Sequence, residues 1–276
     1  MRLRINWAWL VPVLLITTFL GASLLTYDAL WFDEWVTHFI TNTGEMGQSS
    51  EYYGNSTVSI IPLCNALDNT VHTPLHTLCI TAFDNSWPPL FFGFVSLWNM
   101  ISQGNYYIDR TLALFIGLVG VSMTYRMTTD MVDKKTGFIA SLLLGTTVFF
   151  TFYLHEIRGY TLYATLPAIN GYLYWRLLKN KKAGRAIRWG FVISIIATLY
   201  THYIGIAVIF GIGLYHILFE RPDNLISEMK LEEVNRSEEA QQWIGILKLY
   251  INGCLTYGLW IGVLFISFIN ESDNSR

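Results

Sequence analysis

Apolar residues in this chain occur in seven runs that are separated by polar segments. A helix that crosses a bilayer needs roughly 20 apolar residues. The fifth and sixth runs are shorter and can also be read together as one long apolar run. The polar break at Thr201, His202 and Tyr203, and a combined length well beyond one span, favour two helices joined by a tight turn. The pattern predicts an all-α fold, a polytopic transmembrane helical bundle of about seven spans at residues 7–25, 107–127, 136–154, 160–178, 188–200, 203–219 and 243–269.

Two longer polar segments interrupt these runs. Residues 27–106 contain one apolar piece, 89–102, which is too short to cross a bilayer. Because proline suits the first turn of a helix, Pro88 and Pro89 favour a helix here that lies in the membrane interface. We expect a single transmembrane module over residues 1–276. Within it, 27–106 is an outer loop with interfacial helices and 220–242 is a charged cytoplasmic loop.

Lys and Arg are distributed unevenly along the chain. None lies between Tyr27 and Tyr107, whereas residues 179–188 hold five and Lys134 and Lys135 follow the second run. Cytoplasmic loops of membrane proteins carry the excess of Lys and Arg. This rule predicts a cytoplasmic N-terminus and seven alternating crossings. Three cations are then left on the outer side, namely Arg110, Arg158 and Arg276.

The composition agrees with a membrane protein. Hydrophobic residues make up 53% of the chain and charged residues only 14%, whereas soluble domains are about 25% charged. The net charge of −2 says little because the charges are segregated along the chain, but no strongly basic surface remains for nucleic acid. A transporter or channel is disfavoured because few ionisable residues lie within the predicted spans. We expect a multi-pass protein of the cell or inner membrane.

The cysteines leave one question open. Cys64 and Cys79 both lie in the outer loop and can pair in an oxidising compartment, but two unrelated thiols are equally compatible with the sequence. Cys254 lies in an apolar run and is expected to pack as a small hydrophobic residue.

Two acidic residues follow the first run closely. Asp33 and Glu34 are adjacent and are flanked by aromatic residues. An ordinary acidic loop explains them, but a carboxylate among aromatic rings at a membrane boundary is partly desolvated. Desolvation raises its pKa and makes it a better base.

Two further outer segments carry candidate residues. Arg158 lies in a very short connector and is interpreted either as a structural partner of Glu156 or as a clamp for phosphate. His202, in the next outer turn, is either an interfacial polar residue or part of the same site. Acids, a guanidinium and an imidazole on one face suit transfer to a hydroxyl from a phosphate-activated, lipid-linked donor.

Together these segments resemble membrane glycosyltransferases of the GT-C fold, in the protein mannosyltransferase and aminoarabinose-transferase-like group. The group has an Asp-Glu pair in its first outer loop, here Asp33 and Glu34. Its HPPLYY, QEARxY and YTHYF stretches are similar to WPPLFF at 87–92, HEIRGY at 155–160 and YTHYI at 200–204. Trp87 departs from the usual polar residue before the prolines.

The resemblance implies a role for each matching residue. Asp33 would be the general base, and Glu34 would support it or help to bind a divalent metal ion, as related enzymes sometimes require. Arg158 and His202 would hold the phosphate of a polyprenyl-phosphate sugar donor on the periplasmic or extracellular face. The neighbouring pocket residues would be His155, Glu156 and Tyr160.

Members of this group are longer than the present chain, so the resemblance covers their N-terminal catalytic module. Two readings follow. The chain is an active glycosyltransferase embedded in membrane lipid, or it is a non-catalytic or split membrane subunit that keeps the carrier-binding fold and works with a second membrane subunit.

Overall fold

The computed structural model describes residues 7–23, 25–26, 30, 32–43, 73–83, 88–231 and 237–274. Helices and their connections make up this part of the chain, and no strand occurs in it. The helices are α1 (Trp7–Ala22), α2 (Phe32–Thr43), α3 (Pro74–Phe83), α4 (Leu90–Ser102), α5 (Tyr106–Met131), α6 (Lys134–Thr146), α7 (Val148–Tyr153), α8 (Tyr160–Lys179), α9 (Arg185–Leu199), α10 (Gly205–Phe219), α11 (Leu225–Met229) and α12 (Glu238–Asn274). The all-α prediction is confirmed.

Each predicted span overlaps with helix in the structure, but the helices differ in length from the predicted spans. Among the described helices, only α5 is by itself long and apolar enough to cross a membrane. The apolar helices Ala8–Ala22, Leu90–Ser102 and Gly205–Phe219 are shorter. The seven-span arrangement therefore stays a prediction.

One predicted span is not a single helix. The run 136–154 is divided at Thr147, which has an extended backbone conformation and separates α6 from α7. Threonine hydroxyls bond to the preceding turn here, since Thr147 Oγ1 donates to the Leu143 carbonyl and Thr146 Oγ1 to the Leu142 carbonyl. The pattern of apolar residues along the chain does not indicate such a break.

The predicted outer loop contributes three helices to the described fold. α2, α3 and α4 contact one another, and α4 also packs on α5. The helix expected after Pro89 is present as α4, which ends at Gln103 in the left-handed conformation, with φ +52°. Cys79 of α3 is disulfide-bonded, whereas Cys64 lies outside the described residues. Cys254 is a free thiol.

α5 is the centre of the first half of the fold, where it packs against α1, α4, α6 and α8. α9 has the same role further along and packs against α8, α10 and α12. Buried polar contacts join α8 to α9: Asn170 donates to Thr198 at 2.6 Å and accepts from Ser194 at 2.7 Å. Hydrogen bonds of this kind hold helices together where apolar contacts alone give little orientation.

A short segment between α7 and α8, residues 154–159, is named the connector. Leu154 and Ile157 are almost completely buried and anchor it in two different apolar clusters. Leu154 packs where glycines of two helices approach, Gly21 of α1 and Gly117 of α5. The connector is thus fixed at both apolar residues, with His155 and Glu156 between them and Arg158 directly after Ile157.

This close approach gives a first testable prediction. A Cβ atom at Gly117 would meet Leu154 Cδ2 well inside van der Waals distance, so Gly117→Ala is expected to destabilise the fold by about 1–3 kcal/mol through overpacking. Gly171→Ala is the control, because its nearest atom outside the helix, Met127 Sδ, lies 3.6 Å away. Thermal unfolding in detergent measures the difference. Equal stability of the two variants would contradict the tight packing at Leu154.

Candidate functional site

The first turn of α2 presents two carboxylates in different directions. Successive residues of a helix point about 100° apart, so Asp33 and Glu34 meet different partners. Arg158 of the connector binds Asp33, with 2.8 Å between Nη2 and Oδ1. Arg110 of α5 binds Glu34, with 2.8 Å between Nη2 and Oε2. Each acid of the pair has its own guanidinium.

The Glu34–Arg110 pair is fully buried. Arg110 donates from Nε and Nη2 to the two oxygens of Glu34, at 3.1 and 2.8 Å. The backbone N–H of Ile157 donates to Glu34 Oε1 at 2.9 Å. Glu34 and Arg110 are 1% and 2% exposed. Two-pronged geometry and low exposure make this pair a fixed link between α2, α5 and the connector.

A second polar contact follows the same two helices. His38 lies one turn after Glu34 on α2, and Asp109 precedes Arg110 on α5. His38 Nδ1 and Asp109 Oδ2 are 2.9 Å apart. The i, i+4 spacing on α2 thus places two side chains opposite neighbouring residues of α5.

The Asp33–Arg158 pair is more open. Its side chains are 33% and 17% exposed, and Thr37, one turn after Asp33, accepts a hydrogen bond from Arg158 Nη1 at 3.3 Å. The pairing of Arg158 with Glu156 considered from the sequence is replaced by this pairing with Asp33. The reason is that the first turn of α2 places the Asp33 carboxylate next to the Arg158 guanidinium.

Arg158 also lines a cavity of about 260 Å³. Three segments that are remote in sequence form its wall: the start of α4, the end of the connector, and the turn 200–204 between α9 and α10. The Leu90 N–H donates to the Tyr200 carbonyl at 3.0 Å and ties the first of these to the last. The lining residues are Pro88, Phe91, Phe92, Arg158, Gly159, Tyr160, Thr201, His202 and Tyr203.

His202 is held in this wall by aromatic and backbone contacts. Its ring lies 5.5 Å from that of Tyr163 and 6.2 Å from that of Tyr160, and His202 Nδ1 accepts a hydrogen bond from the Ile204 N–H at 3.2 Å. Burial, and secondarily the charge of Arg158, lower the pKa of His202. A neutral imidazole beside a guanidinium suits hydrogen bonding to an anionic or hydroxyl ligand.

Glu156 lies behind Arg158 and is 2% exposed. Its Oε2 atom is buried and has no hydrogen-bond partner among the described residues. Burial raises the pKa of the Glu156 carboxyl to about 7, and the charge of Glu34 adds to this, while Arg158 and Arg110 act against it. Glu156 is therefore a carboxyl that holds a proton up to neutral pH.

His155 precedes Glu156 and is also buried, at 8% exposure. Burial lowers the pKa of His155, and its ring contacts Phe152 with centroids 5.5 Å apart. Neither His155 nor Glu156 lines the cavity, unlike Arg158, Tyr160 and His202.

The residues do not fit the divalent metal that the resemblance left open. No group of three His, Cys, Asp or Glu side chains among the described residues could hold an ion. Both oxygens of Glu34 are already bound by Arg110 and the Ile157 N–H. Arg158 in a cavity wall, in contrast, fits a phosphate group, which guanidinium binds in two-pronged fashion.

The structure brings together much of the site proposed from the sequence and adds residues to it. Asp33 and Arg158 are in direct contact, and Arg158, Tyr160 and His202 share one cavity. Trp87 lies outside the described residues. Sequence reasoning assigned no role to Thr37, His38, Asp109 or Arg110. The only available signal was that Arg110 is one of three cations on the predicted outer side.

Comparison of the chain with protein-family models, with curated proteins and with solved structures found no match.

Proposed function

We propose that the chain is a glycosyltransferase of the GT-C type that moves a sugar from a polyprenyl-phosphate donor to a hydroxyl acceptor on the non-cytoplasmic face of a membrane. The observation that carries the proposal is the cavity in which Arg158 and His202 meet, with Asp33 bound to the same guanidinium. A phosphate site next to a carboxylate is what this reaction needs.

Exposed apolar side chains, the length of α5 and the disulfide at Cys79 support placement in a membrane. Large apolar side chains such as Phe19, Val148 and Phe219 are more than 70% exposed, which is costly in water and favourable in lipid. α5 has the length and composition of a span. The cystine at Cys79 is expected in an oxidising compartment, which supports a periplasmic or extracellular location for α3.

The chemical role of each residue follows from the contacts. A donor phosphate that enters the cavity competes with Asp33 for Arg158, so its binding releases the carboxylate. Asp33 then removes the proton of the acceptor hydroxyl as the acceptor oxygen bonds to the sugar C1. The bond between C1 and the phosphate oxygen breaks, and Arg158 stabilises the negative charge that remains on polyprenyl phosphate.

A non-catalytic or split membrane subunit that retains the carrier-binding fold is the second candidate. One observation favours it: Asp33 and Glu34 are both engaged by guanidinium groups. A chain of this kind would bind polyprenyl phosphate but transfer no sugar alone, and it would co-purify with a second membrane protein that restores transfer.

Turnover in nanodiscs tests the proposal. The purified chain is supplied with polyprenyl-phosphate mannose or polyprenyl-phosphate aminoarabinose and with a membrane extract as the source of acceptor. Release of free polyprenyl phosphate together with labelled product is expected. Carrier binding without release, and release once a co-purifying protein is added, would favour the subunit instead.

Binding of polyprenyl phosphate tests the site separately. Arg158→Gln is expected to weaken binding by about 10- to 100-fold, because hydrogen bonds to a charged partner are worth about 1.5–3 kcal/mol. Arg185→Gln is the matched control, since Arg185 is exposed at the start of α9. Equal affinity in both variants would remove Arg158 from the phosphate site.

A further inference from the structure

Three carboxyl groups and two guanidinium groups lie close together at the meeting point of α2, α5 and the connector. Asp33 and Glu34 are each bound by an arginine. Glu156 is the third acid, and no described side chain forms an ion pair or a hydrogen bond with its Oε2 atom. The cluster thus carries one more acid than base, and the excess falls on a residue that is 2% exposed.

A buried carboxylate without a partner is costly and tends to take up a proton instead. The groups around Glu156 are Asp33 and Glu34 from α2, Arg110 from α5, Tyr153 from α7, and His155 and Arg158 from the connector. Burial lowers the pKa of His155, so it adds no positive charge near neutral pH. The two guanidinium groups therefore provide the positive charge that favours ionised Glu156.

We propose that Glu156 takes up a proton when the phosphate of a phosphodiester ligand binds to Arg158. The inference rests on the proposed phosphate site but not on sugar transfer. The ligand brings a negative charge into the cluster and engages the guanidinium that opposes the negative charge of Glu156. Both effects favour the protonated acid. Glu156 acts through Arg158 and is therefore a positioning residue.

The sign of the pH dependence follows from linkage. The pKa of Glu156 in the free protein is raised to about 7, so the acid is already protonated below that pH and binding takes up no proton there. Above pH 7 the ligand must bind together with a proton. Affinity is therefore highest at low pH and falls as pH rises through 7, by at most about tenfold per pH unit for one linked proton.

Dihexadecyl phosphate in phosphatidylcholine nanodiscs is a suitable probe because its phosphodiester keeps a single negative charge between pH 6 and 8.5. The full chain is titrated across this range by calorimetry, in two buffers of different ionisation enthalpy. We expect an affinity about 10- to 20-fold lower at pH 8.5 than at pH 6.5, with uptake of roughly half a proton or more at pH 8. Glu156→Gln should bind with nearly constant affinity and without proton uptake.

Control variants distinguish a failure of proton uptake by Glu156 from a failure of the phosphate site at Arg158. Glu239→Gln removes an exposed acid of α12 and should leave the pH profile of the wild type unchanged. Binding that requires Arg158 but is independent of pH would overturn the role of Glu156 alone, as would an unchanged profile in Glu156→Gln. Absence of binding at every pH would overturn both the phosphate site and the proton uptake. If Glu156→Gln does not fold, proton uptake is compared between the wild type and His202→Gln, because His202 lines the same cavity. Uptake that persists without His202 supports Glu156, and uptake that is lost with His202 overturns the role of Glu156.

Discussion

Asp33→Asn is expected to reduce sugar transfer by about 10²- to 10⁴-fold, the range that general-base catalysis contributes. Asparagine has nearly the same shape and still accepts a hydrogen bond from Arg158, but it cannot take the proton of the acceptor hydroxyl. The Asp33–Arg158 pair is partly exposed, at 33% and 17%, so its loss should cost the fold about 1 kcal/mol or less. The variant should therefore fold and lose turnover.

Two measurements on Asp33→Asn, the rate of transfer and the affinity for polyprenyl phosphate, test this expectation. The rate at saturating donor should fall, whereas binding of polyprenyl phosphate should be unchanged or slightly tighter, because Asp33 no longer competes with phosphate for Arg158. Asp223→Asn is the matched control, since Asp223 is an exposed acid near α11. Turnover of Asp33→Asn at the wild-type rate would refute Asp33 as the base, and loss of carrier binding would give it a structural role.

Helical content was predictable because long apolar runs bounded by polar residues leave little alternative. The turn between α9 and α10 followed from the polar break at Thr201, His202 and Tyr203 and from the combined length of the two apolar runs. The break at Thr147 did not, because it depends on threonine hydroxyls and on packing rather than on loss of apolar character. The helices α2 and α3 were expected only in general terms, as interfacial helices of the outer loop.

Three residues of the candidate site were predictable from local motifs, whereas their partners were not. Local motifs singled out Asp33, Arg158 and His202, and the fold brings Asp33 to Arg158 and both Arg158 and His202 to one cavity. The partner of Glu34 could not be read from the sequence, because Arg110 lies 76 positions away. A single sequence carries no signal for such a pair beyond the presence of an isolated arginine on the predicted outer side.

The pKa of Glu156 also could not be predicted from its motif. Its motif marked it as a pocket residue or as the partner of Arg158, whereas its raised pKa comes from burial and from the neighbouring charge of Glu34. That charge is close because the Ile157 N–H donates to Glu34 and, together with the contacts of Arg158, holds the connector against α2. The chemistry of the connector is therefore set by tertiary contacts that the motif does not contain.

The Glu34–Arg110 pair is the second contact whose loss should have a large effect, here on stability. Glu34→Gln removes the carboxylate that the buried Arg110 guanidinium binds at two atoms, and arginine cannot lose its proton to relieve this. Removing one partner of a buried pair costs about 3–5 kcal/mol. We expect a loss of this size in unfolding experiments in detergent, together with weaker phosphate binding, because the pair holds α2 and the connector in register.

A double-variant cycle tests whether the effect is the pair itself. Glu34→Leu combined with Arg110→Met replaces two buried charges with apolar groups and should recover most of the stability lost in either single variant, since apolar replacement of a whole buried pair is often neutral. It should not recover phosphate binding fully, because the hydrogen bond from the Ile157 N–H to Glu34 is lost. The exposed pair Lys181–Glu238 is the control and should contribute about 1 kcal/mol or less. If Glu34→Gln unfolds at the wild-type midpoint, the contacts of Glu34 with Arg110 and with the Ile157 N–H do not stabilise the fold. The Asp33–Arg158 pair and apolar packing then hold the connector against α2.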